Sequence, residues 1–151
     1  MQYWLMKSEP DEVSIDDLAV RKTVPWFGVR NYQARNFMRD AMQLGDQAFF
    51  YHSGCAEPGI AGICEVSASA HPDETQFDSA SPYFDPKSTR TKPRWLCVDV
   101  SFREKTPYIP LSLLREQVAL AAMPLLARGN RLSITPVTPD EWNFIRSLMH
   151  D

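Results

Sequence analysis

Alternation along short segments is the strongest structural signal in this sequence, because it predicts strands and therefore a sheet. Residues 47–52, 60–66 and 95–102 each alternate between two faces with the two-residue period of a strand. Short apolar runs at 3–7 and 131–137 predict two more strands. The chain is therefore expected to build its fold around a sheet.

Signals for helix starts lie between and after these strands. Ser14 with Asp17 three residues later resembles a capping box, and Thr138 with Glu141 is a second. In the second box, Pro139 takes the first helical position, which suits proline. We predict a short first helix and a closing helix that buries Trp142, Ile145 and Met149.

Three other segments connect the predicted elements. Segment 26–45 predicts a turn that enters a helix, and 109–126 is loosely helical. Residues 71–93 are polar, contain four prolines and lack periodicity, so we expect a long loop that contacts a substrate as a flap. Within this loop, residues 85–88 are typical of a rigid turn. Gly62 is expected to mark a bulge or a close approach to the backbone.

Strands interrupted by short helices predict a mixed α+β domain whose curved sheet could close into a barrel. We assign residues 1–151 to one domain, since the composition of 44% hydrophobic and 23% charged residues is typical of folded chains.

No apolar run reaches the roughly 18–20 residues of a membrane span, and no export signal is visible. Three cysteines without a close pair fit free thiols, so a cytoplasmic location is expected.

The formal net charge of −3 argues against a broad electrostatic attraction to nucleic acid, which requires a basic surface. Basic residues are nevertheless concentrated in two parts of the sequence, 21–39 and 87–94. Any contact with nucleic acid is therefore expected to be local.

Segment 26–39 concentrates the groups that recognise nucleobases. Aromatic rings stack on bases with roughly 1–3 kcal/mol per base, and guanidinium and amide groups bind base edges and phosphates. Asn31, Arg35 and Arg39 recur every four residues on one face of the predicted helix. For each residue alone the alternative is structural, with Trp26 in the core and the arginines solvated. Their density at one helix entrance favours recognition for the segment as a whole.

Six motifs in the sequence resemble those of the EVE-domain family, which belongs to the PUA-like superfamily. In chain order they are YWLMKSEP at 3–10, GVRNYQARN at 28–36, FFYHS at 49–53, PGIAG at 58–62, FDPK at 84–87 and RLS at 131–133. Several long motifs in the right order are far more specific than one short pattern. The resemblance implies a PUA-like mixed β pseudo-barrel of five or six strands with flanking short helices and a pocket at one end.

The resemblance also implies that this pocket holds a modified base of DNA or RNA. Phe27 and Gly54 depart from the family pattern at the pocket rim, where they affect ligand preference. Carried over position by position, the ligand-binding residues are Lys7, Ser8, Trp26, Val29, Arg30, Asn31, Tyr32, Tyr51, His52, Ser53, Arg131 and Ser133.

The leading functional hypothesis is therefore a non-catalytic reader of a modified nucleobase. Arg35, Arg39 and Lys87 are expected to contact phosphates, and Trp26 is expected to be replaceable without loss of the fold. A base must leave its helix or come from a single strand to enter a pocket. The expected partner is thus a nucleic acid that carries a modified base in a flipped or single-stranded state.

Two alternatives remain open at this point. The chain could be an enzyme that acts on a base, with His52 or Asp85 as proton carrier and Cys55 as a weaker candidate nucleophile, or a protein-interaction domain. It contains no nucleophile elbow, Cys-x-x-Cys pair or glycine-rich phosphate loop, so we predict no catalytic residue, metal or cofactor. Because Tyr51 and His52 alternate, one of them points inward, and we favour Tyr51 or Ser53 over His52 as the ligand contact.

Overall fold

The structure, a computed structural model, describes residues 1–150. Six strands and four α-helices lie within this range. The strands are β1 Tyr3–Ser8, β2 Thr23–Pro25, β3 Gln47–His52, β4 Gly59–Pro72, β5 Leu96–Pro110 and β6 Ile134–Val137. The helices are α1 Ile15–Arg21, α2 Tyr32–Asn36, α3 Leu111–Arg115 and α4 Pro139–Leu148. The longest of these, α4, has ten residues, and no described helix is long and apolar enough to span a membrane.

The six strands form one mixed sheet in the order β2-β5-β4-β3-β1-β6. Strands β1 and β3 pair in parallel and all other neighbours are antiparallel. The edge strands β2 and β6 do not pair with each other within residues 1–150, so the sheet is not closed into the expected barrel. Several register shifts between β4 and β5 mark bulges, which bend and twist such strands. The predicted mixed α+β fold is confirmed, with an open sheet.

The two faces of the sheet carry separate hydrophobic clusters. Phe50 belongs to the first cluster, which also contains Trp26 and buried residues of α1 and α2. Its neighbour Tyr51 belongs to the second cluster, which is covered by α3 and α4. Adjacent strand residues point to opposite faces, so this one step in sequence separates Tyr51 from the Trp26 side of the sheet.

Local signals in the sequence predicted the helix starts correctly. The Ser14 hydroxyl accepts the Asp17 N–H in α1, and the Thr138 hydroxyl accepts the Glu141 N–H in α4. Both capping boxes are complete, because each acidic side chain accepts the N–H of the capping residue in return. The predicted buried face of α4 is confirmed by Trp142, Ile145 and Met149.

The elements differ from the sequence predictions in several places. The segment 109–126 begins as the end of β5, continues as the five-residue α3 and then forms two 3₁₀ turns. The short edge strand β2 carried no recognisable alternation in the sequence and was missed. Helix α2 ends at Asn36 and passes into a π-helical turn, Phe37–Ala41, in which the Met42 N–H donates to the Phe37 carbonyl.

Gly62 occupies a position where no side chain fits, as expected. A register shift separates Ile60 from Gly62 in the pairing with β5. A Cβ at Gly62 would lie 2.6 Å from the carbonyl oxygen of Glu104 and 2.4 Å from Ile15. The missing side chain therefore lets α1 pack directly on the bulged strand.

Candidate functional site

A cavity of about 780 Å³ opens where the carboxyl ends of β1 and β3 meet the segment before β6. The parallel pairing places Ser8 beside His52, and the Ser53 N–H donates to the Ser8 carbonyl at 2.9 Å. The Lys7 N–H donates to the Ser133 carbonyl at 2.8 Å, which ties the third segment to the same end. The remaining walls come from residues 24–30, the loop before α1 and Tyr83.

Eight of the residues predicted to bind the ligand line this cavity. They come from four separate parts of the sequence that the sheet brings together. These residues are Lys7, Ser8, Trp26, Val29, Arg30, Ser53, Arg131 and Ser133.

Trp26 is both a core residue and a wall of the cavity. Its side chain is only 6% exposed, and its ring packs edge-on against Phe50 at 5.5 Å. The Trp26 N–H donates to the Val98 carbonyl at 2.8 Å and so extends the pairing of β2 with β5. Trp26 is therefore a core residue, as the structural alternative predicted, and it also lines the cavity.

Arg30 lines the cavity, but its hydrogen-bonding capacity is used by the protein. Its five N–H groups donate to the Tyr83 carbonyl twice, the Val29 carbonyl, the Thr75 hydroxyl and the Asp73 carboxylate. Asp73 is fully buried and also accepts the Gly28 N–H at 2.7 Å. Arg30 is therefore a structural link between two walls, with no N–H group left to donate to a ligand.

Two further polar residues of the lining have different environments. The Ser8 hydroxyl donates to the Val13 carbonyl at 2.7 Å and so fixes the loop that follows β1. Lys7 is half-buried, and burial lowers the pKa of its ammonium group because a low-dielectric environment disfavours the charged form. An anion bound beside Lys7 would favour its charged form.

Tyr83 forms a wall of the cavity that the sequence prediction missed. Its ring lies on Gly28, where an added Cβ would be 2.8 Å from the ring, and Gly28 has a positive φ of 84°. The ring also contacts Phe27 edge-on at 5.8 Å, and its hydroxyl donates to the Glu12 carboxylate. Burial first, and then this hydrogen bond, raise the pKa of Tyr83 to about 12, so the phenol stays protonated.

The segment that carries Tyr83 is fastened to the domain at many points. The buried Gln76 amide donates to the carbonyls of Asp73 and Trp95 and accepts from the Ser88 hydroxyl. The Asp85 carboxylate accepts the indole N–H of Trp95 at 2.8 Å. Apart from the 3₁₀ turn Glu74–Phe77, the part of the predicted loop after β4 is irregular in backbone but internally hydrogen-bonded, which argues against a loosely hinged flap.

Four residues predicted to line the pocket lie outside it, and each has a structural contact. The Asn31 side chain caps α2 by accepting the Ala34 N–H, and Tyr32 stacks on Trp95 at 4.8 Å. Tyr51 is buried in the second hydrophobic cluster on the opposite face. His52 points toward α1, where its Nε2 accepts the Ile15 N–H at 3.1 Å. The prediction that these four residues line the pocket was therefore wrong: Asn31, Tyr32, Tyr51 and His52 all lie outside it.

The three predicted phosphate contacts lie outside the cavity lining. Arg35 donates to the Arg94 carbonyl and the Asn36 side chain, and its guanidinium covers the Tyr32 ring. Arg39 pairs with Asp40 on the surface at 2.8 Å. Lys87 is exposed, and its backbone N–H donates to the Asp85 carboxylate, which completes the predicted rigid turn. Of the three, Lys87 has the side chain that is freest to reach a phosphate.

One group of potential metal ligands occurs within residues 1–150. His71, Cys97 and Asp99 place one ligand atom each within 4.8 Å of one another. His71 Nε2 and Asp99 Oδ1 already form a hydrogen bond of 2.8 Å, which holds the two side chains together without an ion. This group lies outside the cavity lining, so it does not contribute to the candidate site.

The burial and hydrogen bond of His52 predict how the stability of the protein depends on pH. Burial lowers the pKa of His52 because a low-dielectric environment disfavours the charged ring; nearby Asp16 opposes this shift and Lys105 adds to it. On acidification the unfolded chain takes up its proton first, near pH 6.5. Stability contributed by His52 is therefore complete above about pH 6.5 and is lost as pH falls toward the folded pKa.

We expect His52→Gln to reduce this loss, because the glutamine oxygen accepts the same N–H at every pH. Urea unfolding of both proteins between about pH 7.5 and 5.5 measures the difference, since all other groups titrate in both. Parallel stability curves would contradict the assignment.

Comparison with known proteins identifies similar sequences and structures. The model of a family described as the EVE domain matches residues 2–148. Thymocyte nuclear protein 1 of Homo sapiens is 46% identical over 166 residues, covering 97% of this chain and 73% of the relative. A Pseudomonas putida crystal structure is 51% identical with a TM-score of 0.94, covering 97% of this chain and 99% of that one. Human THYN1 in complex with DNA containing 5-methylcytosine is 44% identical with a TM-score of 0.93, covering 100% and 99%.

Proposed function

Because this chain belongs to the EVE-domain family, we propose that it binds a modified base of DNA in the cavity beside Trp26, with 5-methylcytosine as the first candidate. The observation that carries the proposal is the convergence of Trp26, Lys7 and Arg131 on one cavity. Its volume of about 780 Å³ is within the range of roughly 300–1,000 Å³ that is usual for small-molecule sites.

The lining of the cavity supports a base as its occupant. Val13, Val24 and Val29 are nearly fully buried and, with Trp26, supply apolar surface for a ring and its methyl group. Lys7 and Arg131 supply positive charge for a phosphate. A base in a duplex must turn out of its stack to enter, which costs a few kcal/mol that ring contacts offset.

Direct binding tests the proposal. Fluorescence anisotropy is measured with labelled oligonucleotides that differ only in one cytosine or 5-methylcytosine. One buried methyl group contributes about 0.8 kcal/mol, so we expect roughly fourfold tighter binding of the methylated strand. Equal affinities for the two strands would refute recognition of this modification.

The strand state of the target is tested in the same assay. We expect the single strand and a duplex with the modified base in a mismatch to bind more tightly than the paired duplex, because less unpairing energy is required. An RNA strand with the same modification tests whether the protein distinguishes ribose from deoxyribose.

We infer that binding is not followed by a reaction. The proton carriers considered from the sequence are held in structural hydrogen bonds: His52 accepts the Ile15 N–H, and Asp85 accepts from Trp95 and Lys87. The hydrogen bond from Trp95 in particular holds the pKa of Asp85 below its usual value, which makes it a weak base. Mass spectrometry of 5-methylcytosine oligonucleotides after incubation is expected to show no new product, and turnover lost in His52→Ala would overturn this inference.

Arg131 provides a prediction about salt dependence. Arg131 is exposed and lines the cavity, so we expect Arg131→Ala to weaken binding of methylated and unmethylated strands alike. The slope of log affinity against log salt should fall by about one unit, because one phosphate contact is lost. Arg128→Ala is the matched control, since Arg128 is also exposed, three residues earlier in the sequence, but outside the lining. Equal slopes for both variants would exclude a phosphate contact from Arg131.

A further inference from the structure

The cavity carries acidic as well as basic side chains. Lys7 and Arg131 line it together with Glu9 and Glu12, and none of these four forms an ion pair within residues 1–150. Carboxylates repel phosphate, so a cavity for phosphate alone would not be expected to include two of them. A ligand with an anionic part and a separate hydrogen-bond donor fits both signs of charge.

Glu12 is placed to meet the donor. It lies in the loop between β1 and α1, and its Oε1 accepts the hydroxyl of Tyr83 from the segment between β4 and β5. Tyr83 remains a neutral donor, as its raised pKa requires. The hydrogen bond thus joins two walls of the cavity through a carboxylate that accepts an uncharged N–H or O–H group.

Nucleobases differ in the group that would reach such a carboxylate. Cytosine carries an amino group at C4, which donates hydrogen bonds, and carboxylates of Asp and Glu accept from this amino group. Thymine and 5-methylcytosine share the C5 methyl group, but thymine has a carbonyl oxygen at position 4. A carboxylate facing that oxygen would bring two acceptors together without a proton.

We propose that Glu12 selects the amino group of a cytosine-type base, exchanging its hydrogen bond from Tyr83 for one from N4 of the base. This inference rests on the proposed function, because it requires a base in the cavity. It adds a specificity for the Watson–Crick edge that the apolar walls around Trp26 cannot supply.

Glu9 is the less suitable carboxylate, although it lines the same cavity. Its Oε1 would lie 3.0 Å from a Cβ at Gly54, so its side chain packs along the loop that follows β3. Glu12 is the one hydrogen-bonded to a neutral donor across the cavity. This difference makes Glu9 a matched control for the effect of carboxylate charge.

The experiment uses single-stranded oligonucleotides with one 5-methylcytosine, cytosine, thymine or uracil, so that base pairing does not enter. We expect the intact protein to bind 5-methylcytosine about 5- to 150-fold more tightly than thymine, the discrimination typical of one good base-edge contact. Glu12→Gln offers an amide N–H to the thymine oxygen, so the ratio should fall to about one or reverse. Glu9→Gln removes the same charge from the cavity lining, so it should change the affinities for 5-methylcytosine and thymine by the same factor.

Tyr83→Phe separates selection of the base from support of the cavity wall. If Glu12 exchanges partners, removing the Tyr83 hydroxyl removes a competitor, and 5-methylcytosine binds as tightly as before or more tightly. If Glu12 only holds Tyr83 in place, Tyr83→Phe and Glu12→Gln weaken both bases to the same extent. That second result would overturn the proposal.

The outcomes also distinguish this inference from the proposed function. In one outcome the intact protein prefers 5-methylcytosine to cytosine while Glu12→Gln leaves the ratio of 5-methylcytosine to thymine affinity unchanged. That result would overturn only the role of Glu12. No binding of any strand by the intact protein would overturn both.

Discussion

Replacing Arg30 by alanine is expected to lower the free energy of unfolding by about 3–5 kcal/mol, because it leaves the Asp73 carboxylate buried without its cation. The same change removes both hydrogen bonds to the Tyr83 carbonyl. Urea unfolding followed by fluorescence measures the shift in midpoint. We expect base binding to weaken as well, since Tyr83 forms a wall of the cavity.

Two variants test the physical reason for this effect. Arg30→Lys keeps the charge but cannot reproduce the planar set of five donors, so its stability should lie between those of the alanine variant and the intact protein. Arg39→Ala removes an arginine whose ion pair with Asp40 is exposed, and stability should be essentially unchanged. Equal losses in Arg30→Ala and Arg39→Ala would show that the buried pair has no special weight.

The sequence predicted the features that depend on neighbouring residues. The capping boxes at Ser14 and Thr138 need only a hydroxyl and a carboxylate three residues apart, so they could be read directly. The strands at 3–7 and 47–52 were found for the same reason, since a short apolar run and an alternation of faces are both local patterns. The lengths of β4 and β5 depend on their pairing with each other across bulges, and their ends were therefore predicted poorly.

The candidate site was predicted less completely because sequence does not say which face of the sheet a residue takes. Alternation established that Tyr51 and His52 point in opposite directions, but the choice depended on the position of the second hydrophobic cluster. Asn31 has the same ambiguity, because an amide at a helix entrance is as suitable for an N-cap as for a base edge.

Glu12 and Tyr83 show a further limit of sequence reading. They are 71 residues apart and lie in connecting segments without periodicity, so no pattern indicated their contact. The one available signal was the position of Tyr83 in the long polar segment expected to contact a ligand. That expectation pointed to a segment that does line the cavity. The internal hydrogen bonds of the segment join residues far apart in sequence, and no local pattern shows them.

Trp26 has a second large expected effect, which couples stability to binding. Trp26→Ala removes a ring that is 6% exposed and packs on Phe50, so the free energy of unfolding should fall by about 3–5 kcal/mol. Trp26→Ala is therefore expected to leave the domain folded but much less stable. Because natural domains are stable by only about 5–15 kcal/mol, binding by this variant must be measured where unfolding curves show it folded.

Trp26→Phe separates the two contributions of the ring. Phenylalanine retains aromatic contact with Phe50 but has a smaller face for stacking and lacks the indole N–H, so affinity should fall while most of the stability remains. Tyr32→Ala is the matched control, because Tyr32 is an aromatic of the same segment that stacks on Trp95 outside the cavity lining. Titration of all three variants with the 5-methylcytosine strand should show the order Tyr32→Ala, Trp26→Phe, Trp26→Ala in decreasing affinity. Weaker binding by Tyr32→Ala than by Trp26→Phe would move the base from the cavity to the surface of α2.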